Sequence, residues 1–333
     1  MSTVKCLIVV AVKRQWPLFQ LDINNAFLHG DLYMKLPSGL SLSAASSSTS
    51  APLGYSHSFT DYSLFVKGSP GSFTALVVYV DDIILTGDNA TEISALKQFL
   101  HTQFKIKDLG QLYYFWGIEI SYFPSGLLLN QKKFVSDLLS EYKCEDVSPV
   151  ACPLELHEKL SADSGEVLDK PEFFRSLVGK LLFLTHTRPD ICFDVQHLSQ
   201  FLKCPRVPHM FVALHILRYL KYTLDIGLFY SNDSDLTVSA YGESLIGWKS
   251  KKQPVVSLSS TEAEYRAISK VIGELTWMVR LLSDLHVPVS LPISVFFFII
   301  KLLYILLRIR SSMNVQNILK WIVTLFAPSW VKA

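Results

Sequence analysis

An α+β fold, strands first and helices after, is predicted by three features of this 333-residue chain. The run ALVVYVDDIILTG at 75–87 sets two apolar strands around adjacent carboxylates, the pattern of a β-hairpin with Asp81 and Asp82 at its tip. Upstream, LFQLDINNAFL at 18–28 alternates, so Leu18, Gln20 and Asp22 share one strand face while Phe19, Leu21 and Ile23 take the other. Downstream, three helical stretches are expected between 172 and 222, where Ile191, Val195, Leu198 and Leu202 recur at core spacing.

The elements follow in order. CLIVVAV at 6–12 is only seven residues long, precedes Lys13 and Arg14 and has no small-residue cleavage site, so it reads as a buried helix or strand, not a signal peptide. A cytoplasmic or nuclear protein is the expectation. Six of the ten residues from 41 to 50 are Ser, so the interval 40–60 reads as a flexible linker. Asn89 caps a predicted helix with Glu92 three residues on and an apolar stripe of Ile93, Leu96, Leu100 and Phe104. YYFWGIEISYF and GLLLN make a second hairpin across Pro124, Ser125 and Gly126. Residues 144–171, with Pro149, Pro153, Pro171 and many charges, read as an irregular connector. Asp190 is a candidate helix N-cap. Ser259 and Glu262 form a capping box ahead of a helix bearing Glu264. LPISVFFFIIKLLYILL at 291–307, interrupted by Lys301, falls short of the roughly 20 apolar residues of a membrane-spanning helix.

Two adjacent anions are costly unless a cation joins them. Mg²⁺ suits such a pair, because it takes oxygen ligands, keeps part of its water and is usually held by one or two carboxylates plus substrate phosphates. If the Asp22 strand lies beside the hairpin, Asp22, Asp81 and Asp82 form a cluster suited to two metals about 3.5–4 Å apart, the arrangement used for in-line phosphoryl displacement. Composition adds little to this. The net charge of +2 is weak for a nucleic-acid binder, and the cations are local: Lys13 with Arg14, Lys132 with Lys133, and Lys249, Lys251 and Lys252. Five cysteines without a CxxC and nine scattered histidines suggest reduced thiols and no zinc site.

LDINNAFLHG followed by YVDDIILTG resembles the reverse transcriptase of copia-type LTR retrotransposons. So do DYSLF at 61–65, KDLGQLYYFWGIEI at 107–120, RSLVGKLLFLTHTRPDI at 175–191, LRYLKYT at 217–223 and WKSKKQPVVSLSSTEAEYRAIS at 248–269, in family order over roughly residues 4–290. The resemblance implies a truncated Pol polyprotein: a reverse-transcriptase palm over 1–143, a connector and helical thumb or connection over 144–230, an incomplete ribonuclease H-like α/β remnant over 231–290, and an apolar non-family tail over 291–333. It implies RNA- and DNA-templated addition of deoxynucleotides on a primer–template, with Asp22, Asp81 and Asp82 holding two Mg²⁺ or Mn²⁺ ions. Phe27 would be the aromatic gate against a ribose 2′-hydroxyl, and WGIEI would resemble the primer grip.

The departures from the family shape the remaining expectations. The serine-rich interval stands where the family has a longer segment with an LYGLKQA-type motif at the nucleotide pocket, and a fingers segment ahead of Met1 is expected to be missing. The ribonuclease H remnant keeps Glu264 but lacks the SDADW-type strand and the CDN-type aspartate, so a solvated helix residue is the better reading of Glu264. A defective relic is therefore expected. Its alternatives are a non-catalytic nucleic-acid-binding module and a membrane-associated interaction protein using the apolar tail, with membrane association the less favoured.

Overall fold

The computed structural model describes residues 1–23, 54–154, 160–234, 238–241, 260–289 and 293–296. Phe27, residues 40–53 of the interval expected to be a flexible linker, the box residue Ser259 and nearly all of the apolar tail lie outside them, whereas the linker's last residues, 54–60, are not a free linker but carry a short strand, Ser56–His57, paired into the sheet. The chain is a mixed α and β protein in two compact units: one of Ser2–Leu112 with the described residues from Asp233 onward, the other of Tyr113–Asn232.

The first unit opens with helix α1 (Ser2–Lys13), where Leu7 and Ala11 are wholly buried. Then come β1 (Leu18–Asp22), β2 (Ser56–His57), β3 (Leu64–Ser69), β4 (Ser72–Tyr79) and β5 (Asp82–Gly87). Helix α2 (Ala90–Phe104) and β6 (Lys107–Gln111) follow. The sheet order is β2-β3-β4-β5-β1-β6, with every pair antiparallel. Its two faces divide by the strand period of two. Leu21, Leu76, Ile83 and Leu85 pack beneath Ile93, Leu96 and Leu100 of α2, and Phe104 is partly buried against them. The opposite face carries Leu18, Gln20 and Asp22 of β1, Ala75 and Val77 of β4, and Asp82, Ile84 and Thr86 of β5.

Asn89 caps α2 as expected: its side chain accepts from the Glu92 amide at 2.9 Å. The Glu92 carboxylate turns elsewhere, accepting from Tyr55 Oη at 3.1 Å and pairing with Lys67 at 2.8 Å. Gly87 marks a close approach of strands, with φ 153° and a Cβ position that would lie 2.2 Å from the Phe73 carbonyl oxygen.

In the second unit, β7 (Tyr114–Phe115), β8 (Ile118–Phe123) and β9 (Gly126–Asn130) form the expected hairpin, extended by β10 (Leu228–Ser231) into a sheet ordered β10-β9-β8-β7. Helix α3 (Lys132–Glu141) leads to the connector and then to α4 (Pro171–Leu184), α5 (Cys192–Leu198) and α6 (Val207–Tyr222). Phe174, Leu181, Ile191, Val195, Leu198 and Ile216 meet in one core, with Leu202 partly buried against it. Asp190 is not the cap expected of it. It lies inside a 3-10 turn, Pro189–Ile191, and Ile191 occupies the position before α5. Its carboxylate is taken instead by Arg188, which is only 2% exposed and also donates to the Thr223 carbonyl and hydroxyl.

The connector is irregular but ordered over its described residues. It runs antiparallel to α6, its carbonyls bonded to side chains of that helix and its backbone to the helix start, where Val207 N–H donates to the Glu166 carbonyl at 2.9 Å.

The end of the chain returns to the first unit. Strand β11 (Ser239–Tyr241), helix α7 (Ser260–Asp284) and strand β12 (Ser294–Phe296) make a βαβ unit, because β11 and β12 are parallel. Thus the start of the segment read as a non-family tail is a paired strand. The C-terminal end of α7 grips the residues around β2 and β3: Asp284 Oδ2 accepts from Ser58 at 2.6 Å and Thr60 at 3.0 Å, and Trp277 Nε1 donates to the Thr60 carbonyl at 3.3 Å.

Candidate metal centre

The three carboxylates predicted to act together are neighbours. β1 and β5 pair so that Asp22 faces Asp82 directly, and the Ile23 amide donates to the Asp81 carbonyl at 2.9 Å. Directly opposed residues of an antiparallel pair project from the same sheet face, so Asp22 and Asp82 share the face turned away from α2. Asp22 is therefore not isolated among apolar neighbours, as the β1 sequence suggests. Its companions on that face are Gln20 and Asp82, and Gln20 Nε2 donates to Asp82 Oδ1 at 3.2 Å.

The hairpin turn is tighter than a tip carrying both aspartates. Tyr79 pairs with Asp82, so the two loop residues are Val80 and Asp81, and Asp82 begins the returning strand. Val80 has φ 51°. That is the first central position of the turn, where a type II′ hairpin takes Gly, and a β-branched residue there is strained. Such strain is held only where the surroundings fix it and gathers at functional sites.

Electrostatics mark the same spot. The Asp82 carboxyl is held above its usual range, first by desolvation and then by the negative charges of Asp22 and Asp81, with the Gln20 bond opposing them. Asp81 Oδ1 is buried without a hydrogen-bond partner. An orphaned carboxylate oxygen beside a repelled one is a donor set that fits a hard cation. Among the described residues no group of three or more His, Cys, Asp or Glu is placed to hold an ion. The fit is thus to a cation held by one or two carboxylates and completed by water and phosphate, as Mg²⁺ usually is.

The register adds a residue that the sequence patterns did not single out. Asp22 faces Lys107 of β6, so Tyr79, Asp82, Asp22 and Lys107 form one row across four strands. Lys107 stands exposed at its end. The signal that could have found it is the β1–β6 pairing, which crosses a bulge between Gln20 and Leu21.

Of the remaining candidates, Phe27 lies outside the described residues. Glu264 lies on α7, and its side chain is outside the described set.

Residues 43–156 match the family model described as reverse transcriptase (RNA-dependent DNA polymerase), which takes in Asp81, Asp82 and Lys107 but begins after Asp22. The Retrovirus-related Pol polyprotein from transposon RE1 of Arabidopsis thaliana is 35% identical over 341 residues, covering 87% of this chain and 23% of the relative. That from transposon TNT 1-94 of Nicotiana tabacum is 28% identical, covering 86% and 26%. An uncharacterized mitochondrial protein of Arabidopsis thaliana is 38% identical over 61% of this chain and 93% of its own length. No solved structure matches. The chain belongs to the reverse transcriptase family of copia-type retrotransposon Pol polyproteins. It spans about a quarter of the length of the Pol polyproteins it matches.

Proposed function

We propose that the six-stranded sheet is a polymerase palm in which Asp22, Asp81 and Asp82 supply the carboxylates, one or two to an ion with water and substrate phosphates completing the shell, for the divalent metal chemistry of RNA-directed DNA synthesis, and that α4–α6 form the thumb or connection beside a primer-grip hairpin, β7–β8. The observation that carries this is the directly opposed Asp22–Asp82 pair with the orphaned Asp81 oxygen beside it. Bound there, Mg²⁺ or Mn²⁺ would supply Lewis-acid stabilisation of a phosphoryl group and of an attacking oxygen.

The chain's own residues do the rest. Gln20 fixes the Asp82 carboxylate by its hydrogen bond, which keeps one oxygen oriented as the sheet flexes. The strained Val80 turn holds Asp81 against the Ile23 amide. Lys107, in line with Asp22, offers a cation at the edge of the row where the phosphates of an incoming deoxynucleotide would add negative charge.

Nucleotide incorporation should be weak even with metals bound, because the serine-rich interval replaces the family segment that completes the nucleotide pocket. The ribonuclease H-like part, with Glu264 as its sole family carboxylate, is read as a remnant that does not cut hybrids. The test is primer extension on a primed RNA template with Mg²⁺ or Mn²⁺. Weak extension that vanishes in Asp81→Asn supports the assignment, and extension that survives Asp81→Asn refutes it. Failure of the unaltered chain to extend, with metal binding retained, would leave a metal-binding relic.

A further inference from the structure

Helix α6, assigned above to the thumb or connection, makes a set of contacts that this assignment does not itself require. Helix α6 with Arg206 ahead of it carries Arg206, Arg218 and Lys221, the histidines 209 and 215, and no acidic residue. Every one of these five side chains donates or bonds to a backbone carbonyl of the connector. Lys221 takes the carbonyls of Glu145 and Val147, the latter at 3.0 Å, and Arg218 Nε takes that of Ser148 at 2.8 Å. His215 Nε2 meets the Cys152 carbonyl at 3.0 Å and His209 Nε2 that of Ser161 at 3.1 Å. Arg206 reaches Ala162 and Gly165, both at 2.6 Å.

The described parts of the connector, 144–154 and 160–171, carry Glu145, Asp146, Asp163, Glu166 and Asp169 against a single cation, Lys170, at their end. All five of these acids are exposed. Among the described residues none of them forms an ion pair with α6, so the helix cations are bound to neutral carbonyls while the connector's negative charge faces water.

We propose that this connector is an acidic strap over a nucleic-acid-binding face of α6, displaced when a nucleic-acid backbone takes its place. Two physical facts point to that exchange. A phosphate oxygen carries a negative charge that a carbonyl oxygen lacks, so the same guanidinium and ammonium groups gain ion pairing as well as a hydrogen bond when phosphate replaces the carbonyl. Five exposed carboxylates beside those donors repel phosphate until the strap leaves, which makes the exchange steep rather than gradual. The occupant is a polyanion with closely spaced charges, because the donors are spread along the whole of a 16-residue helix and a nucleic-acid backbone presents phosphates at regular short intervals.

The proposal is independent of the metal site, so its test is run without metal and reads equilibrium binding. The full chain carrying Glu145→Gln, Asp146→Asn, Asp163→Asn, Glu166→Gln and Asp169→Asn is compared with the unaltered chain for binding a labelled short RNA–DNA hybrid across a salt series. The variant should bind at least about tenfold tighter at low salt, since removing the repelling carboxylates favours phosphate contacts that each add roughly 0.9 to the salt slope. Adding Arg218→Gln and Lys221→Gln should remove that gain. Unchanged affinity, or an equal gain for polyglutamate, would overturn the proposal. A second measurement needs no variant: hydrogen exchange on the unaltered chain. Adding hybrid should speed exchange at Leu168, whose amide donates to the Pro205 carbonyl at 3.1 Å, and at Val207, bonded to the Glu166 carbonyl. Slower or unchanged exchange at saturating hybrid would show that the strap stays in place and would refute displacement.

Discussion

Replacing Asp82 by Asn should move stability in opposite directions with and without metal. Asn is nearly isosteric and keeps the oxygen that accepts from Gln20, so the change removes charge and little else. Without metal, Asp82 faces Asp22 and lies beside Asp81, and its pKa is raised first by desolvation and then by those two charges, against the lowering effect of the Gln20 bond. Like charges directly opposed in a sheet cost about 0.2–1 kcal/mol, so Asp82→Asn should stabilise the metal-free protein by that amount, or ~1–4 °C in melting temperature. The pH dependence has a definite sign. A carboxyl whose folded pKa is raised favours folding as pH falls through that pKa, so the unaltered chain gains stability on acidification from this group and Asp82→Asn loses the gain. With metal the order reverses. An ion present at a hundred times its dissociation constant stabilises the unaltered chain by about 2.7 kcal/mol, and Asp82→Asn should forfeit most of that. The assay is thermal or urea unfolding at neutral pH, with chelator and with Mn²⁺. If Asp82→Asn destabilises the chelated protein, or keeps the full metal-induced rise, the carboxylates do not act as a shared cation site.

Other outcomes follow from the packing. Arg188→Met should lower the stability of the second unit by about 3–5 kcal/mol, seen as a lower urea midpoint, because it leaves the Asp190 charge and the Thr223 carbonyl without their guanidinium. Asp194, 6% exposed, is pushed up to about 6 by burial and by the Asp190 charge. Its contribution opposes folding as pH rises from about 4 through 6, by at most roughly 3 kcal/mol, and Asp194→Asn should flatten that part of the pH–stability curve. Gly87→Ala should cost roughly 2–4 kcal/mol, read by urea unfolding, since the new methyl group would meet the Phe73 carbonyl and the sheet cannot part there without losing β4–β5 bonds.

The parts of the fold with a local period were legible in the sequence. Alternation placed Asp22 on the correct face of β1, the apolar–DD–apolar pattern gave the β4–β5 hairpin, and Asn89 announced α2. The rest depends on information that the local pattern does not carry. β6 reads KDLGQ, in which Lys, Asp and Gly disfavour a strand, and its register with β1 is set by the bulge rather than by a pattern. Hence Lys107 beside Asp22 was invisible. The order of the connector comes from long side chains of α6 reaching its carbonyls and from Cys144, Leu154, Leu160 and Leu168 packing on the core of the second unit, an arrangement with no periodic signature in the connector itself. Asp190 has the composition of a cap, yet a buried guanidinium two residues away offered a stronger partner.

The first unit closes on residues far apart in the chain. Asp284 holds Ser58 and Thr60 across separations of 226 and 224 residues, while the whole second unit is spelled out between them. During synthesis the β2–β3 edge must therefore wait, bare, until α7 has left the ribosome, long after the second unit has had the sequence it needs to condense. A chain built this way completes the sequence of its middle before its outside can close, and the contacts of α7 with Ser58 and Thr60 carry the loop-closure cost of those long separations.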